Sequence, residues 1–152
     1  MSLQIRRATH QDMQALTDLM HASSAYHGQY APMLQGYQVK PEQIENDLMY
    51  LAELEGEIIG FYSLIVNREP ELDLMFVSDA YQGRNIGKLL FEHMRQTAKN
   101  HNIPVVKIIS NPPAENFYIR MGAIRTGTKA PRGRITWSQP ILELHTAPEN
   151  NS

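Results

Sequence analysis

The apolar run Leu72 to Val77 leads through a short polar link into Gln82-Gly83-Arg84-Asn85-Ile86-Gly87-Lys88, and that stretch opens a long amphipathic pattern. A strand that passes through a glycine-containing turn onto a helix admits few folds. It sets several backbone N–H groups without intrahelical partners side by side, with the positive end of the helix dipole behind them. Gly83 and Gly87 carry no Cβ, so a phosphate can lie against the backbone there, and Arg84 and Lys88 add mobile positive charge. The feature predicts a phosphate-bearing ligand such as a nucleotide-containing cofactor. An ordinary β–α turn, whose glycines only permit tight packing, is the alternative.

The remaining chain bounds what such a site can serve. With 152 residues, 42% of them hydrophobic, it can bury one core and has little room for a second. We expect one domain over 1–146 and a disordered polar tail over 147–152. Lys plus Arg (14) nearly balance Asp plus Glu (16), which argues against a nucleic-acid partner. The absence of cysteine excludes a thiol nucleophile, a disulfide and a thiolate metal site. The six histidines show no metal-binding spacing. Nowhere do about 18 apolar residues run together, and the N-terminus lacks a signal-peptide core, so the expectation is a cytoplasmic protein with no membrane partner.

Periodicity supplies the elements. Leu3 to Ala8 reads as a strand, followed by Thr9 as an N-cap and a helix carrying Met13, Leu16, Leu19 and Met20. Tyr26 to Gln38 has no firm period. Pro41 suits the first turn of a helix extending through Ile44, Leu48 and Met49. Leu51–Leu54 and Ile58–Val66 read as strands joined at Glu55-Gly56. The long helix spans about Asn85 to Asn100. Ile103 to Ile109 resembles a strand covered on both faces, a short helix runs from about Pro113 to Met121, and two strands flank the loop Lys129 to Gln139. The order indicates an α/β (α+β) fold with a mixed sheet and helices on both faces.

Two blocks carry a family resemblance. The first, Leu72 through Gly87, is similar to the acetyl-CoA pyrophosphate loop Q/R-x-x-G-x-G/A of the GNAT superfamily of N-acetyltransferases. The second, Asn111-Pro112-Pro113-Ala114-Glu115-Asn116-Phe117-Tyr118-Ile119-Arg120-Met121-Gly122-Ala123, resembles that family's N-x-x-A-x-x-F-Y-x-x-x-G-[FA] segment. One position departs: Asn85 stands where the loop signature has its middle glycine. Asn is the non-glycine residue most tolerant of left-handed backbone angles, so the turn is expected to survive.

The resemblance implies a mostly antiparallel sheet of six to seven strands, splayed in the middle, and acetyl-CoA as the cofactor. It places the pyrophosphate on the backbone of Gly83, Arg84, Asn85, Ile86, Gly87 and Lys88, with Gln82 at the loop's start. It assigns Met75, Phe76 and Val77, with Asn111, Ala114, Asn116, Phe117 and Tyr118, to the pantetheine arm and thioester. Tyr118 would be the general acid for the departing thiolate; a packing tyrosine is the other reading. Asn111 reads equally well as an N-cap.

A general base is sought along Glu71 to Val77, where alternation puts Glu71, Asp73, Met75 and Val77 on one face and Leu72, Leu74 and Phe76 on the other. Asp73 is the first candidate and Glu71 the second, against the reading of both as solvated strand-start residues. Tyr26, His27 and Tyr30 fall where the family builds its acceptor pocket, and Trp137, with Arg132 and Arg134, would line the other wall or form an exposed loop. The implied activity is direct acetyl transfer from acetyl-CoA to a primary amine of a small molecule, without a covalent enzyme intermediate. Acetylation of a protein or peptide amine, a non-catalytic CoA-binding module, and an unrelated nucleotide-binding domain are the rivals. The resemblance also implies a homodimer.

Overall fold

In a computed structural model that describes residues 3–147, seven strands form one sheet in the order β1-β2-β3-β4-β5-β7-β6. They are β1 (Leu3–Arg7), β2 (Leu48–Leu54), β3 (Glu57–Ile65), β4 (Glu71–Val77), β5 (Val105–Ile109), β6 (Ile124–Lys129) and β7 (Gln139–His145). The helices are α1 (Met13–Ala22), α2 (Pro41–Asn46), α3 (Ile86–Asn100) and α4 (Glu115–Arg120). Every neighbouring pair is antiparallel except β4 and β5, which run parallel. Most of the tail expected over 147–152 lies outside the described residues.

Each face of the sheet carries its own core. Ile86, Leu90, Phe91, Met94 and Ala98 form the buried stripe of α3 and pack with Ile59, Tyr62, Val106 and Leu142. Leu16 and Met20 of α1 pack with Leu34, Ile44, Met49, Phe61 and Phe76 on the other side. Removing this apolar surface from water is the main stabilising term on both faces. Gly60 of β3 sits where α3 presses closest: a Cβ there would come 2.9 Å from Leu90 Cδ1 and 2.9 Å from the Phe76 carbonyl oxygen.

Three expectations need correction. The helix begun by Pro41 stops at Asn46, and Leu48 and Met49 belong to β2, opposite Leu64 and Ser63. Ladder pairing and full burial of these apolar residues outweigh their helical spacing. In β5 only Val106 and Ile108 are fully buried, while Val105, Lys107 and Ile109 are half-buried, so the strand is covered well on one face. The alternation of β4 is also broken. Leu74 stands opposite Ser63 and Leu72 opposite Leu64, which leaves Asp73 as the extra residue of a β-bulge. Leu72 consequently shares a core with Met75 and Val77, while Leu74 and Phe76 pack on the α1 side.

Candidate active site

Strands β4 and β5 part almost as soon as they meet. Their one bridging pair is Glu71 with Lys107, reinforced by Lys107 N–H donating to the Pro70 carbonyl at 3.0 Å. Beyond it the strands diverge and a slot opens. Ser78 N–H donates to the Ile59 carbonyl at 2.8 Å, so alternation along the antiparallel ladder turns the Val77 backbone the other way, toward the slot. The Val77 carbonyl there accepts a 3.0 Å bond from Gln82 Nε2.

At the head of the slot the chain enters α3. Gly83 (φ 77°) and Asn85 (φ 63°) both adopt left-handed backbone, so the asparagine makes the turn that a glycine would make. Leu89 N–H is the first to find an acceptor, the Asn85 carbonyl at 3.0 Å, which leaves the N–H groups of Ile86, Gly87 and Lys88 without intrahelical partners. A cavity of about 490 Å³ lies against this turn, walled by Gly83, Asn85, Ile86, Gly87, Lys88 and, from α4, Arg120. Arg84 instead turns its guanidinium over the Tyr81 ring, 5.3 Å from the centroid.

Val77, Gln82, Gly87 and Phe117 are shared with a second cavity of about 250 Å³ that occupies the slot itself. Met75, Phe76, Asn111, Ala114 and Tyr118 line it with Tyr26. A Cβ on Gly87 would project to 3.5 Å from the Phe117 ring and 3.8 Å from Val77, into space these cavities share. Asn111 is 7% exposed; its Oδ1 accepts from Trp137 Nε1 at 3.4 Å, and its Nδ2 has no partner among the described residues. Buried polar groups are rarely left unpaired; Ser63 Oγ and Gln139 Nε2 share this state among the described residues, but of the three Asn111 alone lines the slot.

Tyr26, Met75, Phe76, Asn111, Ala114 and Tyr118 also wall a third cavity of about 150 Å³, completed by Tyr37, Asp73, Ser110, Met33 and Leu34. Through these shared walls the three spaces adjoin in series from the α3 N-terminus to the Asp73 bulge. Tyr118 stands at the junction, its ring 5.4 Å from Phe117 and 6.0 Å from Phe91. Burial, helped by Tyr26, raises its pKa above the ordinary phenol value. Asp73, whose residue surface is exposed at the bulge, is raised as well, by partial desolvation of its carboxylate and then by the charge of Asp47, with Arg68 opposing.

Other expected residues stand elsewhere. Glu71 lies where β4 and β5 still pair, 3.9 Å from Arg68, and outside the third cavity; desolvation and then Asp73 raise its pKa. Asn116 is exposed and belongs to none of the three walls. His27 faces a separate recess with His21 and Gly36. Tyr30 and Trp137 meet edge-on at 5.0 Å and form an outer cover rather than the lining. Tyr37, Asp47, Ser110 and Arg120 were missed. For Arg120 a signal existed, since it lies three residues after Phe117 on one helix face; Tyr37 and Asp47 reach Asp73 only through the fold.

The site offers unpaired donors of three kinds: a helix N-terminus, a strand edge facing the slot, and the orphaned Asn111 amide, a set that fits a phosphate-bearing, amide-containing molecule such as acetyl-CoA. Among curated proteins, the 5-NmdU N-acetyltransferase of Pseudomonas phage PaMx11 is 36% identical over 77 residues. That match spans 49% of this chain and 55% of the relative, about half the length of each. Among solved structures, the ribosomal-protein-S18-alanine N-acetyltransferase of Escherichia coli superposes with a TM-score of 0.74 at 16% identity, covering 99% of this chain and 97% of that one. The PaiA N-acetyltransferase of Thermoplasma acidophilum, solved in complex with coenzyme A, gives 0.70 at 20% identity, covering 95% and 99%. The family model of the acetyltransferase (GNAT) domain matches residues 20–139, and on that match the chain belongs to the GNAT family of acetyltransferases.

Proposed function

We propose that this protein transfers an acetyl group from acetyl-CoA directly to the primary amine of a small molecule. The observation that carries the reading is the track of adjoining cavities from the α3 N-terminus, along the β4/β5 slot, to one walled by both Asp73 and Tyr118. When bound, acetyl-CoA supplies an electrophilic thioester carbonyl. Gly83 to Lys88 would hold its pyrophosphate on backbone N–H groups, with Arg120 adding charge, and Asn111 Nδ2 would donate to the pantetheine arm.

Asp73 takes one proton from the incoming ammonium, directly or through water, and its raised pKa brings its basicity closer to that task. The neutral nitrogen then forms the C–N bond as the C–S bond breaks. Val77 N–H, facing the slot, donates to the carbonyl oxygen as negative charge develops there. Tyr118 gives its proton to the leaving sulfur, and the second proton released by the nitrogen restores Tyr118 through solvent. Without a cysteine, no acyl-cysteine step competes with this route.

The test is CoA release from acetyl-CoA across a panel of primary amines, with calorimetry of acetyl-CoA binding alongside. Turnover that follows the amine supports the reading. Tight acetyl-CoA binding with no turnover on any acceptor would favour a CoA-binding module, and no binding at all would remove the assignment of the track.

A further inference from the structure

The acceptor-side cavity has a one-sided electrostatic character. Among the described residues Asp73 is the sole charged side chain on its wall; the others are aromatic, apolar or neutral, Tyr26, Tyr37, Met33, Leu34 and Tyr118 among them. Asp47, buried next to this wall, adds a second negative charge that acts on both Asp73 and Tyr37. Cations nearby are committed or outside. Arg68 faces the carboxylates from the strand start, where it is 64% exposed and reaches Glu71 at 3.9 Å. Lys107 pairs with Glu69 at 3.2 Å. Arg134, a candidate for reading an anionic acceptor, donates to the Gln35 carbonyl at 2.9 Å on the outer face.

A second observation points to a ligand independently of the carboxylates. The unpartnered Asn111 Nδ2, assigned above to the pantetheine arm, belongs to a residue 7% exposed that lines both the slot and this cavity, so the end of that arm would lie at their junction. An amine that reaches the acetyl group there has a partly aromatic chamber of about 150 Å³, apolar along the Met33 and Leu34 side and polar at Asp73 and Ser110, around the rest of it.

We propose that the acceptor is a compact amine with an apolar body and no carboxylate or phosphate, selected by the Asp73–Asp47 side of the chamber. The inference rests on the acetyl-transfer reading and names the substrate class of that same site. An ammonium is drawn to Asp73 and then deprotonated by it, whereas a carboxylate on the adjacent carbon would be brought toward two like charges.

The test uses three acceptors of one shape: phenethylamine, phenylalaninamide and phenylalanine, at saturating acetyl-CoA. The amine and the amide are expected to react, with kcat/KM for phenylalanine at least about tenfold below that of the amide, as like-charge repulsion requires. The amide matches the acid in bulk but has a less basic amine, so rates are compared per neutral amine and the charge effect is read from how Asp47→Asn changes the amide-to-acid ratio. Asp47→Asn should narrow the amide-to-acid ratio severalfold. Phenylalanine reacting as well as its amide would overturn the proposal. So would acetyl-CoA binding with turnover only on a free peptide N-terminus, or on none of these acceptors; in either case the cofactor track stands and the acceptor class falls. Loss of acetyl-CoA binding itself would overturn both readings, and calorimetry tells these outcomes apart.

Discussion

Burial, aided by Tyr26, keeps the Tyr118 hydroxyl protonated at neutral pH, which is the state a general acid must start from. Its hydroxyl accounts for the proposed proton transfer, while its ring contacts with Phe91 and Phe117 would survive in Tyr118→Phe. That variant should lose about 100-fold in kcat, the lower end of what acid catalysis supplies, and keep its acetyl-CoA Kd within about twofold. Steady-state CoA release and calorimetry check the two halves. An unchanged kcat would exclude Tyr118 as the acid. Asp73 makes a different prediction, because its pKa is raised above the ordinary 3.8. As the base it must be ionised, so kcat/KM for the acceptor should fall as pH drops through that raised value. Stability runs the other way: the native state holds this proton more tightly than the unfolded chain, so folding bears a cost above the raised pKa that is absent below 3.8. Asp73→Asn should therefore melt higher than the parent at pH 7, with the gap closing toward pH 4, while its activity falls. Asp47, Tyr37 and Arg68 are the groups facing Asp73 that set this balance.

Among elements, β3, β4 and α3 fix the slot's geometry through one close contact. The Cβ of Gly60→Ala would meet a backbone carbonyl, that of Phe76, which cannot rotate away as the Leu90 side chain can. The change should cost about 1–3 kcal/mol of stability by overpacking, measured by urea unfolding. Because Phe76 precedes Val77, the variant should also weaken acetyl-CoA binding; unchanged stability would mean that β4 shifts freely here. The α3 entry was legible in the sequence because its cause is local: glycines, a left-handed asparagine and a helix start all lie within Gln82 to Lys88. The same holds for the hairpin at Glu55-Gly56, where both residues have positive φ. The fate of Leu48 and Met49 was not legible, since a helical and a strand period both fit them and only β3 decides. Nor was the bulge at Asp73. It comes from the register between two strands, which no single segment encodes.

At the scale of the molecule, the acceptor side is assembled from parts far apart in the chain. Residues 24–34 form short 3-10 turns that lie over the slot, and Asp79 ties them down by accepting from Ser24 N–H at 3.1 Å. The loop between β6 and β7 closes on them from the other end: Arg134 bonds the Gln35 carbonyl at 2.9 Å, Trp137 meets Tyr30 edge-on, and Trp137 Nε1 donates to Asn111 Oδ1 at 3.4 Å. Sequence reading brought Tyr30 and Trp137 to the same region, but it did not make one the support of the other. Trp137 thus acts on the site through Asn111 and Tyr30 and does not line the chamber. Trp137→Ala would remove the edge contact and leave Asn111 free to rotate, loosening the acceptor wall more than the α3 turn. We expect acceptor KM to rise about tenfold, with acetyl-CoA affinity falling less, because Asn111 would be one donor to the arm while the backbone N–H groups of the α3 turn are untouched. Trp137→Phe should restore part of the wall through the ring contact but not the bond to Asn111, and so fall between the two. Equal losses in acceptor KM and acetyl-CoA Kd would instead make Trp137 a general support of the fold, and a Phe variant no better than Ala would place its whole effect in the hydrogen bond.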